Sequence, residues 1–288
     1  MALVLALVFA ACSRGGSDSG SKSTSTTGAS AASTGSFGDV GTVCKDGSAS
    51  GAPAQGVTAD TIKVGTFSDP GFAGRPGLNQ ELFDTAEVFA DWCNDAGGIN
   101  GRKIEIVKHD SALTNVKARM TDACSTDFME VGGGAVFDQE GVETRLACLL
   151  PEIAGYSVSP EARGADLNVQ PIPNPIQTFP VGDLKYLAKK SPDAAQNYGM
   201  LTGDIGTTKL VADQYKEAAG QLGWNKVYDD VYPPAGVTDW TPYAQGIKDK
   251  GVKGLIWVGE PENLASLMKA LAAINYNLDW VATRFGYE

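Results

Sequence analysis

Gly155-Tyr156-Ser157-Val158-Ser159 is the stretch whose spacing comes nearest to covalent chemistry. It follows an apolar run and nearly fits G-x-S-x-G, where a nucleophilic serine sits on a sharp strand-to-helix turn; Ser159 replaces the last glycine. The single histidine, His109, precedes that serine, whereas a hydrolase triad of this type runs Ser, acid, His. A secreted serine hydrolase is therefore only a second alternative, and the expectation is that the chain is not an enzyme. Gly203–Gly206 with Thr207 lacks the G-K-[ST] ending of a phosphate loop. A metal site is not expected, because no two cysteines have C-x-x-C spacing and there is one His; no cofactor is expected either. A net charge of −11 and a pI near 4.6 argue against a nucleic-acid partner, which needs a basic face. What remains is non-covalent chemistry: hydroxyls, carboxylates and aromatics that can grip a small solute.

The compartment is read from the first residues. Met1–Ala11 is apolar and too short to span a bilayer, but it fits the apolar part of a secretory signal. Ala10 and Ala11 directly before Cys12 resemble the bacterial lipobox, so residues 1–12 read as a signal with Cys12 as the lipidated N-terminus. No Lys or Arg precedes the apolar run, and Phe9 stands where Leu is usual. Residues 13–56 read as a linker; Ser13–Ser36 is nearly all Ser, Thr, Gly and Ala and cannot bury enough apolar surface to fold. The expected location is outside the cell membrane, held by lipid. Four cysteines then remain, with three possible connectivities; Cys124 with Cys148 and Cys44 with Cys93 are favoured.

Behind the linker the chain alternates strand and helix. Strands are expected at 61–67, 104–110, 134–137 and 152–158, with helices at about 78–93, 114–130 and 141–149 between them. Pro171, Pro173 and Pro175 make 169–180 extended and irregular. The pattern restarts with helices at 181–190, 207–222, from 241 and from 261, and strands at 198–202, 226–232, 254–258 and 280–285. Such alternation implies an α/β fold of two Rossmann-like lobes, about 57–180 and 181–288, each a parallel sheet flanked by helices. Ligands of open α/β sheets bind beyond the carboxyl ends of the strands, so a cleft between the lobes is the expected site.

Ile62–Gly65 (I-K-V-G), Asn94–Arg102 (N-D-A-G-G-I-N-G-R), Thr238–Tyr243 and Lys253–Gly259 together resemble one family over residues 57–288: the type I periplasmic binding proteins, in their branched-chain amino acid branch of ABC-transporter receptors. The resemblance implies a small-molecule ligand, amino acid or amide-like, handed to permease subunits in the membrane, and a monomeric receptor. A ligand-sensing ectodomain is the first alternative. Family members continue for roughly another hundred residues on the usual two-domain size, so the second lobe and hinge are expected to be incomplete here.

The resemblance also implies the ligand contacts. In the first lobe they fall in the loops 68–74, 137–140 and 157–160, at Phe72, Phe137, Asp138, Gln139, Ser157 and Ser159. In the second lobe the family's first aromatic falls on Ile205 and is absent, with Asp204 beside it as a polar substitute. Its second aromatic falls on Trp240, suited to a stacking or lid role, and its acid on Glu262 with Glu260 close by. Asp138 and Glu140 add acids where the family is hydroxyl-rich, which favours a cationic or amide-bearing ligand over leucine. Each carboxylate also has an ordinary structural use, capping a helix or facing its dipole.

Overall fold

The computed structural model describes residues 35–176, 179–233 and 235–283. Cys12 and the signal-like segment lie outside the described residues.

The first lobe is a five-stranded parallel sheet built from β1 (Thr61–Ser68), β2 (Lys103–Asp110), β3 (Met129–Val131), β4 (Glu152–Ile153) and β5 (Asn168–Val169), in the order β2-β1-β3-β4-β5. Its helices are α1 (Gln80–Asp95), α2 (Val116–Thr126), α3 (Gln139–Ala147) and α4 (Pro160–Arg163). The second lobe is a four-stranded parallel sheet, β7-β6-β8-β9, from β6 (Tyr198–Gly203), β7 (Lys226–Tyr232), β8 (Gly254–Val258) and β9 (Trp280–Thr283). Its helices are α5 (Gly182–Lys190), α6 (Pro192–Ala195), α7 (Gly206–Gln221), α8 (Thr241–Asp249) and α9 (Pro261–Ala273). In each sheet the chain order reverses after the second strand. That switch opens a crevice beyond the strand ends, between β1 and β3 and again between β6 and β8.

The second lobe shows why these sequences become buried strands. In β8, Leu255 and Trp257 face a cluster with Leu201, Tyr232, Ile247 and Leu267, while Ile256 and Val258 face one with Leu184, Met200 and Tyr215. Both faces of the strand are covered, so every residue must be apolar. The first lobe has a smaller core around Phe67, Met120, Ala123 and Leu150.

The N-D-A-G-G-I-N-G-R stretch turns α1 into β2. Asn94 uses its side-chain amide to hold Ile104, accepting from its N–H at 2.7 Å and donating to its C=O at 2.9 Å. Gly98 has φ +81, and a Cβ there would collide with the carbonyl of Arg102. Gly97 leaves room for the backbone of Lys45 and Asp46.

That close approach corrects the extent of the linker. Residues 35–56 lie along the first lobe instead of hanging free. Cys44 is buried and joined to Cys93, with Cα atoms 5.2 Å apart. Lys45 N–H donates to Gly98 O at 2.8 Å, and the Gln55 amide donates to the carbonyls of Cys124 and Asp127 at 2.9 Å each. Cys124 is joined to Cys148, Cα atoms 5.8 Å apart, clamping α2 to the end of α3. The third strand is also displaced from the expected 134–137: α2 ends at Thr126, and Met129–Val131 forms β3. Glu130, which suits a helix by propensity, is here a buried strand residue. The fourth strand is shorter than the expected 152–158, since β4 ends at Ile153. Among the described residues no helix is long and apolar enough to cross a membrane.

Candidate ligand-binding cleft

Two carboxylates shape the strand-end loops of the first lobe. Asp69, fully buried after β1, accepts from Leu113 N–H at 2.8 Å and Val136 N–H at 3.0 Å, and from the Ser111 hydroxyl. The loops after β1, β2 and β3 are thereby tied to one side chain. Asp138 accepts from the backbone N–H of Val158 at 2.6 Å and of Ser159 at 3.0 Å, fixing the loop after β4. Burial raises the Asp138 pKa, and those hydrogen bonds oppose the rise. Asn79 Nδ2 donates to Tyr156 Oη at 3.0 Å, and Asn174 Nδ2 donates to Ser157 O at 2.8 Å.

These bonds frame a cavity of about 490 Å³ between the lobes. Leu78, Leu82, Val136 and Val158 form its first-lobe wall, Phe179 and Pro180 its connecting wall, and Val211 and Tyr215 of α7 its second-lobe wall. The polar groups in it are Asn79, Glu81, Tyr156, Ser157, Arg163, Asn174 and Gln214. Arg163, at the end of α4, reaches across to α7 and donates from Nη1 to Gln214 Oε1 at 3.4 Å. Its Nε is buried without a hydrogen-bond partner. Burial lowers the Arg163 pKa, with the charge of Asp138 acting against that. Such a cavity, mainly apolar with a few convergent polar groups, has the size and make-up of a small-molecule site.

Of the ten expected contacts, Ser157 is in this wall. The other nine have structural places. Trp240 is 5% exposed, inside the second-lobe core, with ring centroids 5.2 Å from Tyr232 and 5.9 Å from Trp257. An aromatic of that size is stabilised more by burial than by hanging over a cleft as a lid. Asp204 is exposed and paired with Lys209. Glu260, just before α9, accepts from Tyr232 Oη at 3.0 Å and Asn263 Nδ2 at 3.1 Å. Glu262 meets Arg75 at 3.1 Å. Ser159 caps α4 by accepting from Ala162 N–H at 3.1 Å, and Phe72 lies over Gly74. Asp138 serves the backbone as described, Phe137 O accepts the first turn of α3, and Gln139 opens that helix exposed. Glu140 is exposed as well, so Asp138 and Glu140 do not converge as a cation site. Arg163, Gln214 and the α7 residues line the cavity without being among the expected contacts. Val211 and Tyr215 read as an ordinary core stripe, and an isolated Arg after Pro160-Glu161-Ala162 carried no signal.

His109 is in the first-lobe core, not the cleft. Its ring stacks on Phe67 with centroids 5.0 Å apart, and Nε2–H donates to Asp127 Oδ2 at 2.6 Å. No hydrogen bond joins it to Ser157 among the described residues, so the two form no nucleophile–base pair here. Glu130 completes a buried trio whose ligand-type atoms lie within 4.8 Å of one another above Gly65, where a Cβ would strike both carboxyls. Burial pushes both acids up. For Asp127 the hydrogen bonds from His109 and Thr126 help to outweigh it and leave its pKa lowered. Glu130, pushed up by burial and by the facing charge of Asp127, is held well above the usual range, and neither of its carboxyl oxygens has a hydrogen-bond partner among the described residues.

The chain folds as two α/β lobes with a cavity between them, and known structures share that fold. Residues 173–287 match the family model described as periplasmic binding protein. A fatty acid ABC transporter substrate-binding protein from Thermomonospora curvata superposes with a TM-score of 0.66 at 16% identity, over 85% of this chain and 62% of that one. The branched-chain amino acid binding protein LivJ from Streptococcus pneumoniae, solved with isoleucine, gives 0.61 at 19% identity, over 77% and 64%. A solute-binding protein from Rhodopseudomonas palustris, solved with 3,4-dihydroxybenzoic acid, gives 0.59 at 17% identity, over 75% and 59%. A comparison with curated proteins found no match. The chain thus has the type I periplasmic binding protein fold and spans about 62% of the length of the first of these relatives.

Proposed function

We propose that this chain is the substrate-binding part of an ABC transporter, capturing a small molecule between its lobes and presenting it to a membrane permease. The observation that carries this is the cavity of about 490 Å³ walled by α1 and the post-β4 loop on one side and α7 on the other. Ligand there touches both lobes at once, and so stabilises a closed arrangement over an open one. The chemistry is binding without bond-making: the nearest approach to a catalytic pair, Ser157 and His109, is split between cleft and core. The two disulfides favour an oxidising, extracytoplasmic location, and Cys12 is proposed as the lipid anchor there.

A thermal-shift screen of the purified chain against amino acids, amides, polyamines and small carboxylic acids tests this. The expected result is a saturable rise in Tm with one chemical class. No shift with any class, together with ester or amide hydrolysis that Ser157→Ala abolishes, would replace the receptor by an enzyme.

A further inference from the structure

We propose that the interlobe cleft selects an apolar monocarboxylate, with the Arg163 guanidinium as the partner of the carboxylate; this rests on the receptor function proposed above. Three observations converge on it.

The first is the wall. Leu82, Val158, Phe179, Val211 and Tyr215 enclose most of the space, and an aliphatic or aryl body gains by leaving water for such a surface. A polyamine or a small amide would lose hydration there with few acceptors in return.

The second is the charge. Arg163 makes no ion pair with any described carboxylate. Among the described residues its one side-chain hydrogen bond, to Gln214 Oε1, is long at 3.4 Å, and its Nε is buried with no partner. A guanidinium presents a planar fork of N–H donors that fits a carboxylate, and Ser157 in the same wall can add a hydroxyl donor. Asp138 is committed to the N–H groups of Val158 and Ser159, which leaves Arg163 available for a ligand anion.

The third is size together with the absence of a good ammonium site. At water's share of roughly 30 Å³ per molecule, 490 Å³ holds roughly sixteen non-hydrogen atoms, well beyond the nine of leucine. Among the described residues the one lining carboxylate is Glu81, exposed in the first turn of α1 at the rim, so a zwitterion would bring its ammonium against apolar wall. An acid with no ammonium has no such penalty.

The test is isothermal titration of the whole chain with octanoate, 3-phenylpropanoate, 3-phenylpropanamide, leucine and putrescine. Octanoate and 3-phenylpropanoate are expected to bind, with the amide weaker by roughly 10–100-fold, the range of a charge-assisted hydrogen bond. Arg163→Gln is expected to weaken both acids by a similar factor and leave the amide unchanged; Arg163→Lys, keeping the charge but losing the fork, falls between. If Arg163→Gln does not fold, Val211→Glu on half-buried α7 sets a like charge in the cleft and is expected to abolish acid binding while the amide still binds. Tighter binding of leucine or putrescine, equal binding of acid and amide, or indifference of the acids to these substitutions would overturn the proposal and leave the receptor function standing. Failure of every compound here and in the thermal-shift screen would overturn both.

Discussion

Arg75, in the loop after β1 of the first lobe, and Glu262, in the first turn of α9 in the second, form an ion pair across the cleft with N and O 3.1 Å apart. The Glu262 side chain is 67% exposed and that of Arg75 29%, so the pair sits at the mouth, in water. It joins the lobes without entering the cavity. Glu262 is thus better described as a latch residue than as a ligand for a bound solute.

Glu262→Gln should therefore have small effects. An exposed pair contributes at most about 1 kcal/mol, which limits the Tm change to about 4 °C and the change in ligand affinity to about fivefold. Both differences should shrink in 1 M salt. A hundredfold loss of affinity by titration would show that Glu262 contacts the ligand directly.

Trp240 separates core from cleft in the opposite sense. Trp240→Ala is expected to destabilise the second lobe by roughly 3–5 kcal/mol in denaturant unfolding, as for other buried aromatics. Trp240→Phe, which keeps most of the packing with Tyr232 and Trp257, should bind ligand as the parent does. A folded Trp240→Phe with strongly reduced affinity would return Trp240 to the binding surface.

The contrast marks what a sequence of this kind reveals. Strand β8 was legible because burial on both faces leaves a wholly apolar signature in Gly254–Val258, and β6 is likewise buried throughout. β3 was not, since its three residues include Glu130, a buried acid whose pKa is raised by burial and by the charge of Asp127 from outside the strand. The site was legible as a place, between lobes at strand ends, but hardly as residues. Asp138, Ser159 and Glu260 have the types that bind ligands and are occupied by backbone or neighbouring side chains. Arg163 and Gln214 meet only because α4 and α7, 51 positions apart, face each other across the cleft.

The buried trio should make stability depend on pH in a predictable direction. Glu130 has its pKa raised by folding, so its stabilising contribution is complete below about 4.3, the unfolded value, and is lost as pH rises through the folded value. Asp127, lowered, contributes in the opposite sense and only at the acid end. Glu130→Gln replaces the buried carboxyl by an amide that does not titrate. Chemical denaturation between pH 4 and 8 should show the variant gaining on the parent as pH rises. A constant difference across that range would mean that Glu130 ionises at the same pH in the folded and unfolded chain.

Removing the two disulfides should have separable effects. Replacing Cys124 and Cys148 by Ser opens a loop of sequence separation 24 and is expected to lower stability by about 3–4 kcal/mol on the chain-entropy model. Replacing Cys44 and Cys93 frees the segment before β1, and limited proteolysis should then cut within residues 45–56 much faster than in the parent. Equal cutting rates would show that the backbone bonds to Gly98 and Asn100 hold the segment without the bridge.

Capture between the lobes is tested most directly by hydrogen exchange, with and without a saturating compound from the binding panels. Simultaneous protection is predicted at residues 78–82 and 156–158 of the first lobe and 211–215 of α7, the segments that wall the cavity. Protection confined to one lobe, or centred on Trp240 and the strand ends of the second lobe, would contradict it.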